Sequence, residues 1–289
     1  MKNTNLYQTI TNRILTALDQ GIVPWRKPFK SNFSAIPVNF ATGKSYRGIN
    51  ILLLNLTGWH MGYPSNAWLT FQQAKQLGGS VKKGERSETI VFWKPTQVTA
   101  EDPDNEEKTK HTIYIARSYS VFNIDQCQGL HLEEHPVPVP TIDSAEQVYA
   151  NFPEKRPTLH TGHKAAYYPR LDQVRIPAMQ DFEASSSYYA TLFHELVHST
   201  GHNIRLNRDG IAKANRSDEI QYAQEELVAE IGASFLCGQT GIDSTALTTN
   251  TTAYIQNWLK ALADDKQMVV KAASQAQAAV DYILGTVHS

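Results

Sequence analysis

Cysteine is scarce in this chain: two residues, Cys127 and Cys237, among 289. Two thiols cannot build a disulfide framework, and a reducing compartment is the natural reading. Long apolar runs are missing as well. The longest, such as Ile49 to Leu56, falls far short of the roughly 20 residues a membrane span needs, so no membrane partner is expected. The opening residues, Met1 to Gln8, hold no apolar signal core, which points to a cytoplasmic location. Acidic residues are scarce in one region only. Residues 1–95 hold 12 Lys and Arg against three Asp and Glu, a balance of +9, whereas the remaining 194 hold 15 against 25, a balance of −10. The net charge of −1 therefore conceals two regions of opposite sign. They imply two units with different partners, the basic one suited to a polyanion.

The elements support two units. Leu6, Ile10, Ile14 and Leu18 recur at helical spacing, predicting a helix over 6–18 that stops at Gly21. Tyr46 to Leu56 reads as a second helix, and 70–77 as a short one with Thr70 as N-cap and Gly78 as stop. Lys82-Lys83-Gly84-Glu85 is a turn. Ser87 to Lys94 and Ile113 to Asn123 read as strands joined by an acidic hairpin loop, Glu101 to Lys110. The prolines of His135-Pro-Val-Pro-Val-Pro140 exclude a helix and mark a boundary. The chain is expected to be α+β: an α+β unit over 1–130, a linker over 131–142, and a mostly helical unit with a small sheet over 143–289. In the second unit, Thr141 to Phe152 reads as a helix, 166–168 and 173–176 as short strands around a turn at Leu171-Asp172, and 187–201, 218–239, 253–262 and 264–284 as helices.

The sharpest signal is His194-Glu195-Leu196-Val197-His198. On a helix, residues four apart share a face, so both imidazoles can reach one ion. Glu195 then sits where its carboxylate can take a proton from a metal-bound water. A catalytic zinc commonly has three protein ligands and a water, so a third ligand is expected downstream. Glu226 and Glu230 lie four apart in a predicted helix, 28 residues beyond His198. Glu226 could bind the metal and Glu230 could orient a ligand histidine. The pattern resembles the glutamate-ligand zincins, whose second motif is Glu-x-x-Ala-Asp; here Glu230 replaces the final Asp. Glu225 competes for the ligand role but points about 100° away on the helix, as a solvated charge would. His202 reads as a turn or pocket residue, and His160 and His163 as exposed loop residues. Tyr167, Tyr168 and the strand Gln173 to Pro177 could form a substrate-holding edge. Arg205, Arg208 and Tyr254 are weak candidates for stabilising an oxyanion. Zinc is the expected cofactor, with Mn2+ as another option.

The basic unit also collects aromatics: twelve of the chain's Phe, Trp and Tyr, and four of its five tryptophans, lie within 1–95. Rings beside cations suit single-stranded nucleic acid, with charge tracking phosphates and rings stacking on bases. The candidate contacts are Trp25, Arg26, Lys27, Lys44, Tyr46, Arg47, Trp68, Lys82, Lys83, Trp93 and Lys94. For any single tryptophan, a place in the core is the stronger expectation. No helix-turn-helix or zinc-finger signature supports duplex readout.

Several stretches together resemble a known family. They include Pro24-Trp25-Arg26-Lys27-Pro28-Phe29, Thr42 to Asn50, Trp68-Leu69-Thr70-Phe71, Gly78 to Glu85 and Ile90 to Lys94. In the second half they are Phe193 to His202, Arg205-Leu206-Asn207-Arg208 and Tyr222 to Glu230. These are similar to the ArdC antirestriction proteins of conjugative plasmids over nearly the whole chain. The resemblance implies an N-terminal domain that binds single-stranded DNA, a C-terminal zincin-like metallopeptidase domain, and protection of incoming plasmid DNA from host restriction. Two other readings stay open: a cytoplasmic peptidase of a regulatory protein or peptide that uses the basic unit for docking, and a binding protein whose zinc is structural. Structural zinc is usually closed by four protein ligands, which argues against the latter.

Overall fold

The computed structural model describes residues 3–26, 35–101, 108–130, 142–153, 155–212, 219–242 and 251–286. The first half opens with helix α1 (Asn3–Asp19), whose Ile10, Ile14 and Leu18 are buried at the expected helical spacing. Strand β1 (Val38–Asn39) follows, then helix α2 (Ile49–Met61). Helix α2 is apolar on nearly every side, so it must be enclosed by neighbours. It begins at Gly48, whose φ of +56° few other residues adopt. Strand β2 (Ala67–Leu69) leads into the short helix α3 (Phe71–Gln76). Thr70 caps α3 through a reciprocal capping box with Gln73, as the sequence predicts.

Strand β3 (Ser80–Val81) precedes a long hairpin of β4 (Glu88–Glu101) and β5 (Lys108–Asn123); the loop at 102–107 is outside the described residues. Both strands run further than the sequence pattern suggested. Four strands form a sheet in the order β1-β2-β5-β4, parallel between β1 and β2 and antiparallel elsewhere. The strand β6 (Cys127–Gln128) pairs with β3. Asn50 docks α2 on this sheet: its amide donates to the Val91 carbonyl and accepts from the Val91 N–H, both at 2.8 Å, as a neighbouring strand would.

The second half begins at helix α4 (Ile142–Ala150); the proline-rich segment before it lies outside the described residues. Strands β7 (Thr158–Thr161), β8 (Ala166–Tyr168) and β9 (Gln173–Ile176) form a sheet in the order β7-β9-β8. The turn between β8 and β9 is made by Asp172 in the left-handed region. Helix α5 (Ser185–Thr200), the short α6 (Asp209–Ala212), α7 (Glu219–Thr240), α8 (Thr251–Asp264) and α9 (Met268–Leu284) complete the chain. Helices α5 and α7 come very close at Gly232, where an added Cβ would lie 2.8 Å from Val197. A run of small buried residues on α9, Ala272, Ala273, Ala276 and Ala279, leaves little side-chain bulk where that helix packs against α7.

One hydrophobic core joins the halves. It links Ile14, Leu18, Trp25, Ile51 and Leu52 with Trp258, Leu262, Val269 and Ala273. Polar ties reinforce the junction. Arg47 pairs with Asp281 on α9, and the Gly48 N–H donates to Gln277 at 3.0 Å.

Candidate metal centre and nucleic-acid face

Helix α5 presents His194, Glu195 and His198, all buried, and ends at Gly201, so His202 falls in the following turn. The close approach of α7 brings Glu226 to the same point. One donor atom from each of His194, His198 and Glu226 lies within 4.8 Å of the others. The two Nε2 atoms are 3.1 Å apart, and the Glu226 carboxylate oxygens stand 3.5 Å from His194 Nε2 and 3.6 Å from His198 Nε2. Burial disfavours charge on both imidazoles. The surrounding carboxylates outweigh that: beside Glu226 the His194 pKa is raised, and beside Glu225 and Glu226 that of His198 is raised well above the ordinary histidine value. Burial likewise pushes Glu226 upward, but the two histidines hold its carboxyl far below the usual range. A field that draws protons onto the imidazoles also attracts a divalent cation between them. Two imidazole nitrogens and one carboxylate form a donor set that fits zinc and other divalent first-row ions.

The surrounding carboxylates are arranged in a way helical spacing alone did not reveal. Glu230, on the α7 face of Glu226, sits 3.7 Å from His194 Nδ1. Glu225 was expected as a solvated charge, yet it is buried and faces His198 Nδ1 at 3.2 Å. It is held there by Arg208, which donates to both its oxygens at 2.9 and 2.6 Å, and also to Thr200 and the Val197 carbonyl. The outer nitrogen of His198 thus has a carboxylate bonded to it, which fixes that ring so that Nε2 points at the centre, while Glu230 places its charge beside the outer nitrogen of His194 without a hydrogen bond. Arg208 is buried and fully engaged, which removes it as an oxyanion stabiliser. Arg205 is removed on the same ground: it binds Asp172, Tyr167 and the Ser199 and Lys155 carbonyls. The Tyr254 side chain lies outside the described residues.

The sheet corrects another expectation. Strand β9 is central, paired with β7 on one side and β8 on the other, so Gln173 to Ile176 cannot be an edge. The edge nearest α5 is β8. His160 lies on β7 rather than in a loop; it and His163 are exposed, away from the cluster.

The basic half is rearranged more strongly relative to the sequence reading. Trp25 is 1% exposed, packs edge-on against Trp258 at 5.1 Å, and has its carbonyl bound by Ser234. Trp68 is fully buried, with its indole N–H donated to Asn66. Neither ring is available to stack on a base. Arg26 turns inward and donates to Glu230 at 2.9 Å. Lys27 lies outside the described residues. Tyr46 is buried, with its hydroxyl accepting from Asn39. Lys44, Lys83 and Lys94 are exposed; Lys82 is also exposed and donates to the Asp125 carbonyl, while Trp93 is half-buried and Arg47 is tied to Asp281. Sequence reasoning missed two rings on the β4–β5 hairpin that do face solvent, Phe92 and Tyr119. Strand alternation was their only signal, and it gave no register.

Comparison with known proteins agrees with both halves. A family model described as the N-terminal domain of anti-restriction factor ArdC matches residues 4–122, and one described as zincin-like metallopeptidase matches 144–275. The crystal structure of the antirestriction ArdC protein from plasmid R388 superposes with a TM-score of 0.77 at 36% identity, covering 97% of each chain. The chain belongs to the ArdC antirestriction family. An Mn(II)-bound structure of the R388 ArdC superposes similarly, with a TM-score of 0.76. The uncharacterized protein y4eC of Sinorhizobium fredii is 34% identical over 97% of this chain and 92% of its own length. A DNA primase TraC of Escherichia coli is 32% identical over 96% of this chain, which spans only 27% of that protein. Among the described residues of this ArdC-family chain, no helix is long and apolar enough to cross a membrane.

Proposed function

We propose that the chain is an antirestriction protein that binds single-stranded DNA and carries a working zinc-dependent peptidase centre. The convergence of His194, His198 and Glu226 from two helices, with Glu195 beside the first histidine, carries the reading. These three side chains would hold the ion, which supplies Lewis acidity toward a peptide carbonyl and lowers the pKa of water. Glu195 serves as general base to the attacking water and returns the proton to the leaving amine. Glu225 keeps the His198 imidazole turned with Nε2 inward, and the Glu230 charge beside His194 Nδ1 favours the same orientation of that ring. Edge strand β8, which packs beside α5, offers backbone groups to an extended peptide, the substrate being a host protein or peptide. The +9 balance of residues 1–95 supports binding of DNA by the first half, and a cytoplasmic setting suits protection of an incoming strand.

The test uses Glu195→Gln, which keeps both imidazoles and should bind metal as the parent does while losing peptide hydrolysis. Plasmid transfer into a restricting host is measured in parallel. Protection that disappears with hydrolysis supports the joint reading. Protection that survives assigns it to DNA binding and leaves the peptidase with a separate, regulatory substrate. Hydrolysis unchanged in Glu195→Gln removes Glu195 from the mechanism.

A further inference from the structure

We propose that the cavity between the β4–β5 hairpin and α9 holds bases of single-stranded DNA. The proposal rests on the DNA-binding reading above and gives it a place. The cavity measures about 840 Å³ and is lined by Lys44, Tyr46, Phe92 and Tyr119 from the first half and by Ser274 and Gln277 from α9. That volume falls within the range of sites that enclose small organic molecules.

Phe92 and Tyr119 are each 48% exposed, with ring centroids 5.6 Å apart at 76°. The hairpin register explains what stands beside them. Phe92 is opposite Arg117, Ile90 opposite Tyr119, and Lys94 opposite Ile115. Cross-strand partners project to the same face, and so do residues two apart along a strand. Phe92, Tyr119, Arg117 and Lys94 therefore share one face, with Arg117 and Lys94 exposed and Lys44 exposed at the cavity. The acidic groups nearby are already paired: Asp281 with Arg47, and Glu88 with Arg13 and Thr57. Exposed rings flanked by exposed cations suit an unpaired strand, whose bases can stack while its phosphates meet the charges. A duplex keeps its bases turned away from such rings. Because α9 forms one wall, the bound strand would touch both halves of the protein.

The test is fluorescence anisotropy of the full chain with a labelled single-stranded oligothymidylate across a range of salt concentrations. Phe92→Ala and Tyr119→Ala should each weaken binding by at least about fivefold, the low end for loss of one base–ring stack. Ser274→Trp, on an exposed position of α9, should fill the cavity from the second half and weaken binding comparably. Lys44→Ala and Arg117→Ala should each reduce the slope of log affinity against log salt by roughly 0.7. Phe71→Ala, an exposed aromatic outside the cavity, should bind as the parent does. Photocrosslinking of 5-iodouracil DNA to the unmodified chain adds a readout independent of any variant's folding, with crosslinks expected on peptides holding Phe92 or Tyr119.

If the parent protein does not bind the single strand, the DNA-binding reading fails and the cavity with it. If the parent binds but Phe92→Ala, Tyr119→Ala and Ser274→Trp all stay within about twofold, DNA binding stands and the cavity is overturned. Losses for the hairpin variants with none for Ser274→Trp would overturn the two-walled site. So would crosslinks confined to other peptides.

Discussion

Replacing Arg208 with Met should damage the metal centre without touching a ligand. The Arg208 side chain is 5% exposed, and its guanidinium gives two hydrogen bonds to Glu225, one to Thr200 and one to the Val197 carbonyl. Methionine keeps much of the length but none of the donors. Glu225 would then be a buried carboxylate with His198 as its remaining polar partner on this side. Breaking a buried pair by removing one member costs about 3–5 kcal/mol, far more than loss of an exposed pair. A second effect is separable from the first. Glu225 fixes the His198 ring, and loss of such an outer partner lowers metal affinity by about 10–100-fold, or roughly 1.4–2.8 kcal/mol. Chemical denaturation of the metal-free protein reads the first effect, and competition with a chelator for Zn2+ or Mn2+ reads the second. Arg205→Met is the control. Arg205 is just as buried, but it ties α5 to the Asp172 turn and contacts none of the three candidate ligands. It should lose stability yet keep metal affinity within about threefold, well below the loss expected when an outer partner of a ligand is removed. Equal affinity losses in the two variants, or none in Arg208→Met, would refute the positioning argument.

Gly232→Ala should destabilise the fold by about 1–3 kcal/mol and weaken metal binding, because the new methyl meets Val197 and forces α5 and α7 apart; thermal melts with and without metal check this. Arg26→Gln should lower metal affinity by releasing Glu230, while anisotropy titration finds single-strand affinity unchanged; the opposite pattern would restore Arg26 as a DNA contact. Asp172 carries a pH signature. Burial raises its pKa, but the bonds from Arg205 and Tyr167 outweigh it, so the carboxyl is lower folded than unfolded. Its stabilisation is therefore present above the ordinary carboxylate range and is lost as pH falls through the folded value. Asp172→Asn should be less stable than the parent at neutral pH and converge with it in acid; a gap that persists at low pH would contradict the assignment.

The sequence by itself determined the parts with short-range causes. Helix periodicity placed α1, the helix carrying His194 and His198, and α7, α8 and α9, since backbone hydrogen bonding and a 3.6-residue repeat act within one segment; the single turn of α6 was not legible. The same spacing singled out Glu226, four residues before Glu230. Thr70 announced its own capping box, and the positive balance of residues 1–95 needed only counting. Tertiary structure alone decided what each side chain meets. Trp25 and Arg26 looked like a stacking and phosphate-binding pair, yet the shared core took the ring and Glu230 took the guanidinium, because burial depends on residues more than 200 positions away. Glu225 looked solvated from its helical phase, until Arg208, arriving from a turn 17 residues earlier, made a buried carboxylate tolerable beside His198. Phe92, Tyr119 and Arg117 became neighbours only through the β4–β5 register, which the side-chain pattern of either strand leaves open. Local propensity is written in consecutive residues, whereas desolvation and pairing energies depend on which distant groups the fold brings within a few ångströms.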